Sequence, residues 1–145
     1  MDGTHRIHNY RWPAEGLEAG QAPKGVIAMF HGYGSYVGKF AYLARLFVAQ
    51  GYDVIGMDMR GFGYSEGTRG RIEDREDFYQ EGYTFLQAAR KHYSEKLYSG
   101  HSLKFFTFGY SQGGALTLGI AKLLHKHGKT PLNGQLYVAP NFGIQ

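Results

Sequence analysis

The chain has 145 residues, a formal net charge of +4 and no cysteine. That length suits a single domain able to bury a core, and 43% hydrophobic with 19% charged residues is a globular rather than a disordered composition. The missing cysteine excludes disulfides, thiolate zinc sites and a cysteine nucleophile and leaves a cytosolic setting open; the expected location is cytoplasmic or peripheral to a membrane.

The longest apolar run, Val26 to Phe30, is far too short to cross a bilayer, so no transmembrane segment is expected. The opening MDGTHRIHNYRW has no apolar stretch of the kind a secretory signal needs. Lys and Arg are scattered without a run, which reads as a solvated, mildly basic surface and not as a nucleic-acid patch.

Thr4 to Trp12 alternates loosely and reads as an edge strand, with the lone tryptophan, Trp12, in a packing role. Ala14 to Lys24 is a connector. Val26 to Phe30 is a continuous apolar run between turn residues, as expected of a strand buried on both faces. His31-Gly-Tyr-Gly-Ser35 follows as a glycine loop. Phe40, Leu43, Ala44, Phe47 and Val48 then form one apolar helical stripe, with Ser35 placed as its cap and Gly51 as its stop. Tyr52 to Met57 is a short buried strand closing on Asp58, and Arg60 to Gly67 is a second glycine-rich loop.

Glu73, Asp74, Glu76 and Asp77 open a second helix and Arg90, Lys91 and His92 close it, a charge order that complements the helix dipole. Its buried stripe is Phe78, Gly82, Phe85, Leu86, Ala89 and Tyr93. Leu103 to Phe108 is the next strand; Gly109-Tyr-Ser-Gln-Gly-Gly114 turns into a third helix ending near His127-Gly128; Gln135 to Ala139 is the last strand. Strands alternating with helices predict an α/β fold with a mostly parallel sheet and right-handed crossovers. The crossovers predict the spatial order Met57, Val26, Phe106, Val138, with the Phe40–Val48 helix on the opposite face from the Phe78–Tyr93 helix.

The sharpest motif is Gly109-Tyr110-Ser111-Gln112-Gly113. A serine between glycines, with a strand running in and a helix running out, is the pattern of a nucleophile held on a strained turn. Such a turn predicts a strained backbone at Ser111. The Gln112 N–H then lies at a helix N-terminus, where developing negative charge is stabilised. In His31-Gly32-Tyr33-Gly34 the glycines leave backbone N–H groups open, so the Tyr33 N–H can serve as a second oxyanion donor. His31 itself reads as a buried, hydrogen-bonded anchor for the loop.

Taken together, HGYG, DMRGFGYSEGTRGRIED and GYSQGG, in that order and spacing, resemble the α/β-hydrolase fold, and within it the monoglyceride lipase and serine aminopeptidase-like branch. The resemblance runs from about Asp2 to Pro140. Phe62 stands where that branch usually has histidine in its R-G-H-G-x-S-x-G stretch, and Tyr110 and Gln112 replace the His and Met of its G-H-S-M-G-G elbow. The resemblance implies a partial α/β-hydrolase fold lacking the cap and the C-terminal strands, and a serine hydrolase of esters such as monoacylglycerols. Ser111 would be the nucleophile, Tyr33 and Gln112 the oxyanion hole, and His31, Gly32, Gly34, Gly109 and Gly113 the supporting loop and elbow.

It also implies an acid and then a histidine after the last strand read here, yet no Asp or Glu follows Glu95. His125 and His127 lie about 21 and 24 Å along the third helix from Ser111, and His101 lies about 30 Å away by strand rise. His92 ends a helix at that far side, His5 and His8 sit on the edge strand, and only His31 can approach, without an orienting acid. The expectation is therefore a truncated hydrolase domain over residues 1–145, inactive alone and able to self-associate through its Gln135–Ala139 edge.

Two other functions compete. A non-catalytic protein could keep the fold for binding or scaffolding. A dinucleotide-binding domain would explain Gly32-x-Gly34 and Asp58, but Val37 stands where its third glycine belongs and the elbow is left over. No cofactor is expected: the histidines are scattered, and Glu73–Asp77 lacks the glycine and spacing of a calcium loop.

Overall fold

A computed structural model describes residues 5–142. A five-stranded sheet is built from β1 (Asn9–Trp12), β2 (Val26–Phe30), β3 (Asp53–Met57), β4 (Phe105–Tyr110) and β5 (Gly134–Val138), in spatial order β1-β3-β2-β4-β5. β1 runs antiparallel to β3, and the other pairs are parallel. The four parallel strands stand in the order the crossovers require.

The helices are α1 (Ala41–Ala49), α2 (Arg75–His92) and α3 (Gln112–Lys126). The apolar run of β2 is continuous because both its faces are covered. Val26, Ala28 and Phe30 pack with α2 and α3 residues such as Phe78, Leu86, Leu116 and Ile120. Ile27 and Met29 pack on the other face with Ala44 and Val48 of α1. α1 therefore lies opposite α2 and α3, as the topology predicts.

Several boundaries differ from the sequence expectation. Thr4 lies outside the described residues, and β1 begins only at Asn9. The His8 N–H is taken by Ser65 Oγ at 2.9 Å, and the His8 carbonyl accepts the Asp58 N–H at 2.9 Å, so this stretch binds a loop as well as the sheet edge. Ser35 does not cap α1: a 3₁₀ turn, Val37–Phe40, precedes the helix, and the Val37 N–H donates to Asp58 Oδ1 at 2.8 Å. The donor is satisfied from the neighbouring strand's end, not by the local serine. Gly51 does end α1, at φ +88°. β4 starts at Phe105 and continues through Gly109 and Tyr110, because Gly109 pairs with Phe30 and Tyr110 with Val138. β5 closes at Val138, and Ala139 turns away at φ +43°.

Two buried aspartates bracket β3. At its start Asp53 accepts from Arg11 Nη2 at 2.8 Å, from the Tyr93 hydroxyl at 2.7 Å and from the Ala14 N–H at 2.7 Å. That ties the β1 edge to the end of α2, and burial with the Asp53 bond raises the Tyr93 phenol above its ordinary range. Just past its end, Asp58 does comparable work beside the site.

Candidate active site

The carboxyl ends of β2, β4 and β5 meet at Ser111. It sits between β4 and α3 at φ +53°, ψ −115°, a left-handed region that non-glycine residues avoid. Its neighbours impose this geometry. The Ser111 N–H donates to the Val138 carbonyl at 3.0 Å, and the Ser111 carbonyl accepts from the Gly114 and Asn141 N–H groups, each at 2.9 Å. The turn is tight because α3 starts against the sheet. A Cβ on Gly113 would overlap the Phe30 carbonyl oxygen, and one on Gly109 would overlap the Gly113 carbonyl oxygen. Only glycine fits at either position.

Ser111 is half-buried, and its side chain does not cap α3. α3 has no acid in its first turn, so the helix dipole there meets no internal counter-charge. The Gln112 N–H is the first of the helix. The Gly32–Ser35 turn closes with the Ser35 N–H on the Gly32 carbonyl at 3.2 Å, with Gly34 at φ +70°. Among the described residues, neither the Tyr33 N–H nor the Gln112 N–H has an acceptor. The loop and the elbow adjoin: a Cβ built on Gly32 would stand 3.2 Å from Ser111 Cβ. An unpaired hydroxyl on a strained turn, with amide donors lacking acceptors in the adjoining loop and elbow, is the equipment that attack on a carbonyl carbon calls for.

His31 is fully buried and both its ring nitrogens are engaged. Nδ1 meets the Gly32 carbonyl at 2.7 Å, and Nε2 accepts the Met59 N–H at 2.9 Å. Burial pushes its pKa below the ordinary histidine value, with the Gly32 carbonyl opposing. The one histidine near the loop is thus an anchor, and its ring is not directed at Ser111. His8 packs on Tyr10 and Tyr64, His127 on Tyr83 and His101 on Tyr98. Among the described residues no histidine hydrogen-bonds Ser111 and no cluster of His, Asp or Glu could hold a metal ion.

Aromatic rings surround the opening. Phe62, 5% exposed, meets the His31 and Tyr33 rings edge-on at 5.8 and 5.3 Å between centroids. Tyr33 is 63% exposed, yet its hydroxyl is fixed to the Gly70 carbonyl at 2.6 Å. Tyr110 packs on Phe40. Beside Gln112, a cleft of about 110 Å³ lies among Ile72, Phe78, Tyr79, Ala115 and Phe142, with Arg75 and Asn141 as its further polar lining. This wall is apolar enough for a hydrocarbon chain.

Three supporting residues escaped the sequence reading as site elements: Asp58, Arg60 and Glu81. The Arg60 guanidinium pairs with the Glu81 carboxylate, which tethers the 60–67 loop to α2. Burial raises the Glu81 pKa although Arg60 opposes it. Glu81 lies three residues after Phe78 and so on the buried face of α2, but nothing in the sequence names a partner 21 positions away.

Residues 21–145 match the family described as serine aminopeptidase, S33. The chain is 30% identical over 94 residues to a monoacylglycerol lipase of Mycolicibacterium smegmatis, covering 65% of this chain and 31% of that one. It is 29% identical over 117 residues to the monoglyceride lipase of Homo sapiens, covering 81% and 34% respectively. Among solved structures, a soluble variant of the Saccharomyces cerevisiae monoglyceride lipase in complex with a substrate analogue superposes with a TM-score of 0.78 at 22% identity, covering 97% of this chain and 42% of that one. The chain thus spans well under half the length of these relatives.

Proposed function

The chain belongs to the serine aminopeptidase S33 family, within the α/β-hydrolase fold, and from that premise we propose that residues 1–145 are the nucleophile-bearing part of a serine hydrolase domain acting on esters of the monoacylglycerol type. Ser111 Oγ attacks the ester carbonyl, and the Tyr33 and Gln112 N–H groups hold the oxyanion. The alcohol leaves with the proton taken from Oγ, and water then cleaves the acyl-enzyme. The observation that carries this reading is the strained Ser111 turn, whose hydroxyl and two flanking amides are unpaired among the described residues. The apolar cleft beside Gln112 supports an acyl substrate, as do the names of the lipases to which the chain is similar.

Proton transfer from Oγ needs a base. No acid follows Glu95, and His31 is committed to the Gly32 carbonyl and the Met59 N–H. In this reading the base is none of the described residues. The chain on its own is therefore expected to hydrolyse a short-chain p-nitrophenyl ester no faster than its Ser111→Ala variant. Turnover that depends on Ser111 would place a base within these residues and overturn that part of the reading.

The missing base equally favours a second reading, a binding protein that keeps the fold. A fluorophosphonate probe separates the two. Capture at Ser111, absent in Ser111→Ala, supports the hydrolase, and an inert serine in the chain and in any longer form supports the binding protein.

A further inference from the structure

We propose, resting on the reading of the Tyr33 N–H as an oxyanion donor, that Asp58 is the positioning residue that holds this donor beside Ser111. Asp58 is fully buried, and among the described residues no cation pairs with it. A buried carboxylate without a counter-ion is costly unless several donors converge on it. Here three do: the Val37 N–H on Oδ1 at 2.8 Å, and the Tyr64 N–H and Tyr10 hydroxyl on Oδ2, both at 3.0 Å. The backbone makes room, since a Cβ on Gly63 would overlap Oδ2.

These donors come from three segments, and two of them frame Tyr33. Val37 closes the loop that begins at His31. Tyr64 belongs to the loop whose Phe62 ring abuts Tyr33. The next residue, Met59, donates its N–H to His31 Nε2 at 2.9 Å. Both ends of the 31–37 loop therefore hang on consecutive residues, 58 and 59. Displacing the carboxylate frees the rear of the loop while His31 still holds the front, and the Tyr33 amide between them loses its fixed direction. A misplacement of about 1 Å at such a donor can cost on the order of 10²-fold in rate.

The test uses Asp58→Asn, which keeps the shape but turns an amide donor toward either the Val37 or the Tyr64 N–H. Backbone ¹⁵N relaxation should show the Tyr33 and Gly34 order parameters falling from about 0.85 to below about 0.6. Capture of Ser111 by a fluorophosphonate should slow by about 10- to 100-fold. Tyr10→Phe removes one donor and should move Tyr33 in the same direction by less. Ser65→Ala removes the bonds to the Asp58 carbonyl, at 2.6 Å, and to the His8 N–H, but it leaves the carboxylate alone and should leave Tyr33 ordered.

A merely structural role would lower the melting point of Asp58→Asn without loosening Tyr33 selectively. An ordered Tyr33 in Asp58→Asn overturns the proposal, as does equal loosening in Ser65→Ala. If Asp58→Asn does not fold, Tyr10→Phe against Ser65→Ala decides: greater loosening in Tyr10→Phe supports the proposal, and anything else overturns it. Where the probe labels wild type no more than Ser111→Ala, the order parameters alone judge Asp58, and the hydrolase reading falls only if a longer form is inert as well.

Discussion

The two nitrogens of His31 have opposite tasks. Nε2 accepts the Met59 N–H, so the ring carries its proton on Nδ1 and donates it to the Gly32 carbonyl. A second proton would face the Met59 N–H with another donor, and burial further disfavours the cation. The folded-state pKa is therefore depressed, and the unfolded chain binds more protons as pH falls through the ordinary value of about 6.5. The stability His31 contributes is full above that value and is lost as pH drops toward the folded-state pKa. Urea midpoints measured between pH 7.5 and 5 should fall with acid in the wild type, and His31→Gln should flatten that slope. An unchanged slope would mean that another group sets the acid sensitivity.

Among the elements, α2 shows how local sequence and distant partners divide the work. Its start is local: Asp74 accepts the Glu76 and Asp77 N–H groups at 2.7 and 3.0 Å. Its dipole is met by Glu76 and Asp77 at one end and by Arg90, Lys91 and His92 at the other. Asp74→Ala should cost about 1 kcal/mol in chemical denaturation. Signals of this kind were legible in the sequence, as were the apolar runs of β2 and β3 and the serine turn. What stayed hidden were donors and acceptors satisfied across the fold. Ser35 obeys the local capping rule, yet Asp58 takes the Val37 N–H from β3's end. Gly109 and Tyr110 look like turn residues, yet pairing with Phe30 and Val138 holds them in β4. The Arg60–Glu81 pair and the Asp58 cluster join residues that the sequence places well apart, so no periodicity could announce them.

For the whole molecule, the exposed side of the sheet decides behaviour in solution. Among the described residues β5 is the edge of the sheet, and its Leu136 and Val138 are each 45% exposed. An unprotected, apolar edge of this kind is open to pairing with another strand. The chain studied alone is therefore expected to self-associate, and Val138→Lys should shift it toward monomer in size-exclusion chromatography. Equal elution of the two forms would count against the edge. The opposite edge has a different use. Trp12, the single tryptophan, stacks on Tyr10 with the rings 5.4 Å apart and 4° from parallel, and the Tyr10 hydroxyl reaches Asp58. The chain thus carries its own optical gauge: indole emission, excited selectively, reads the state of the buried carboxylate on which the 31–37 loop hangs. Asp58→Asn should shift that emission at temperatures well below the melting transition, whereas a substitution on the distant β5 edge should leave the spectrum where it was.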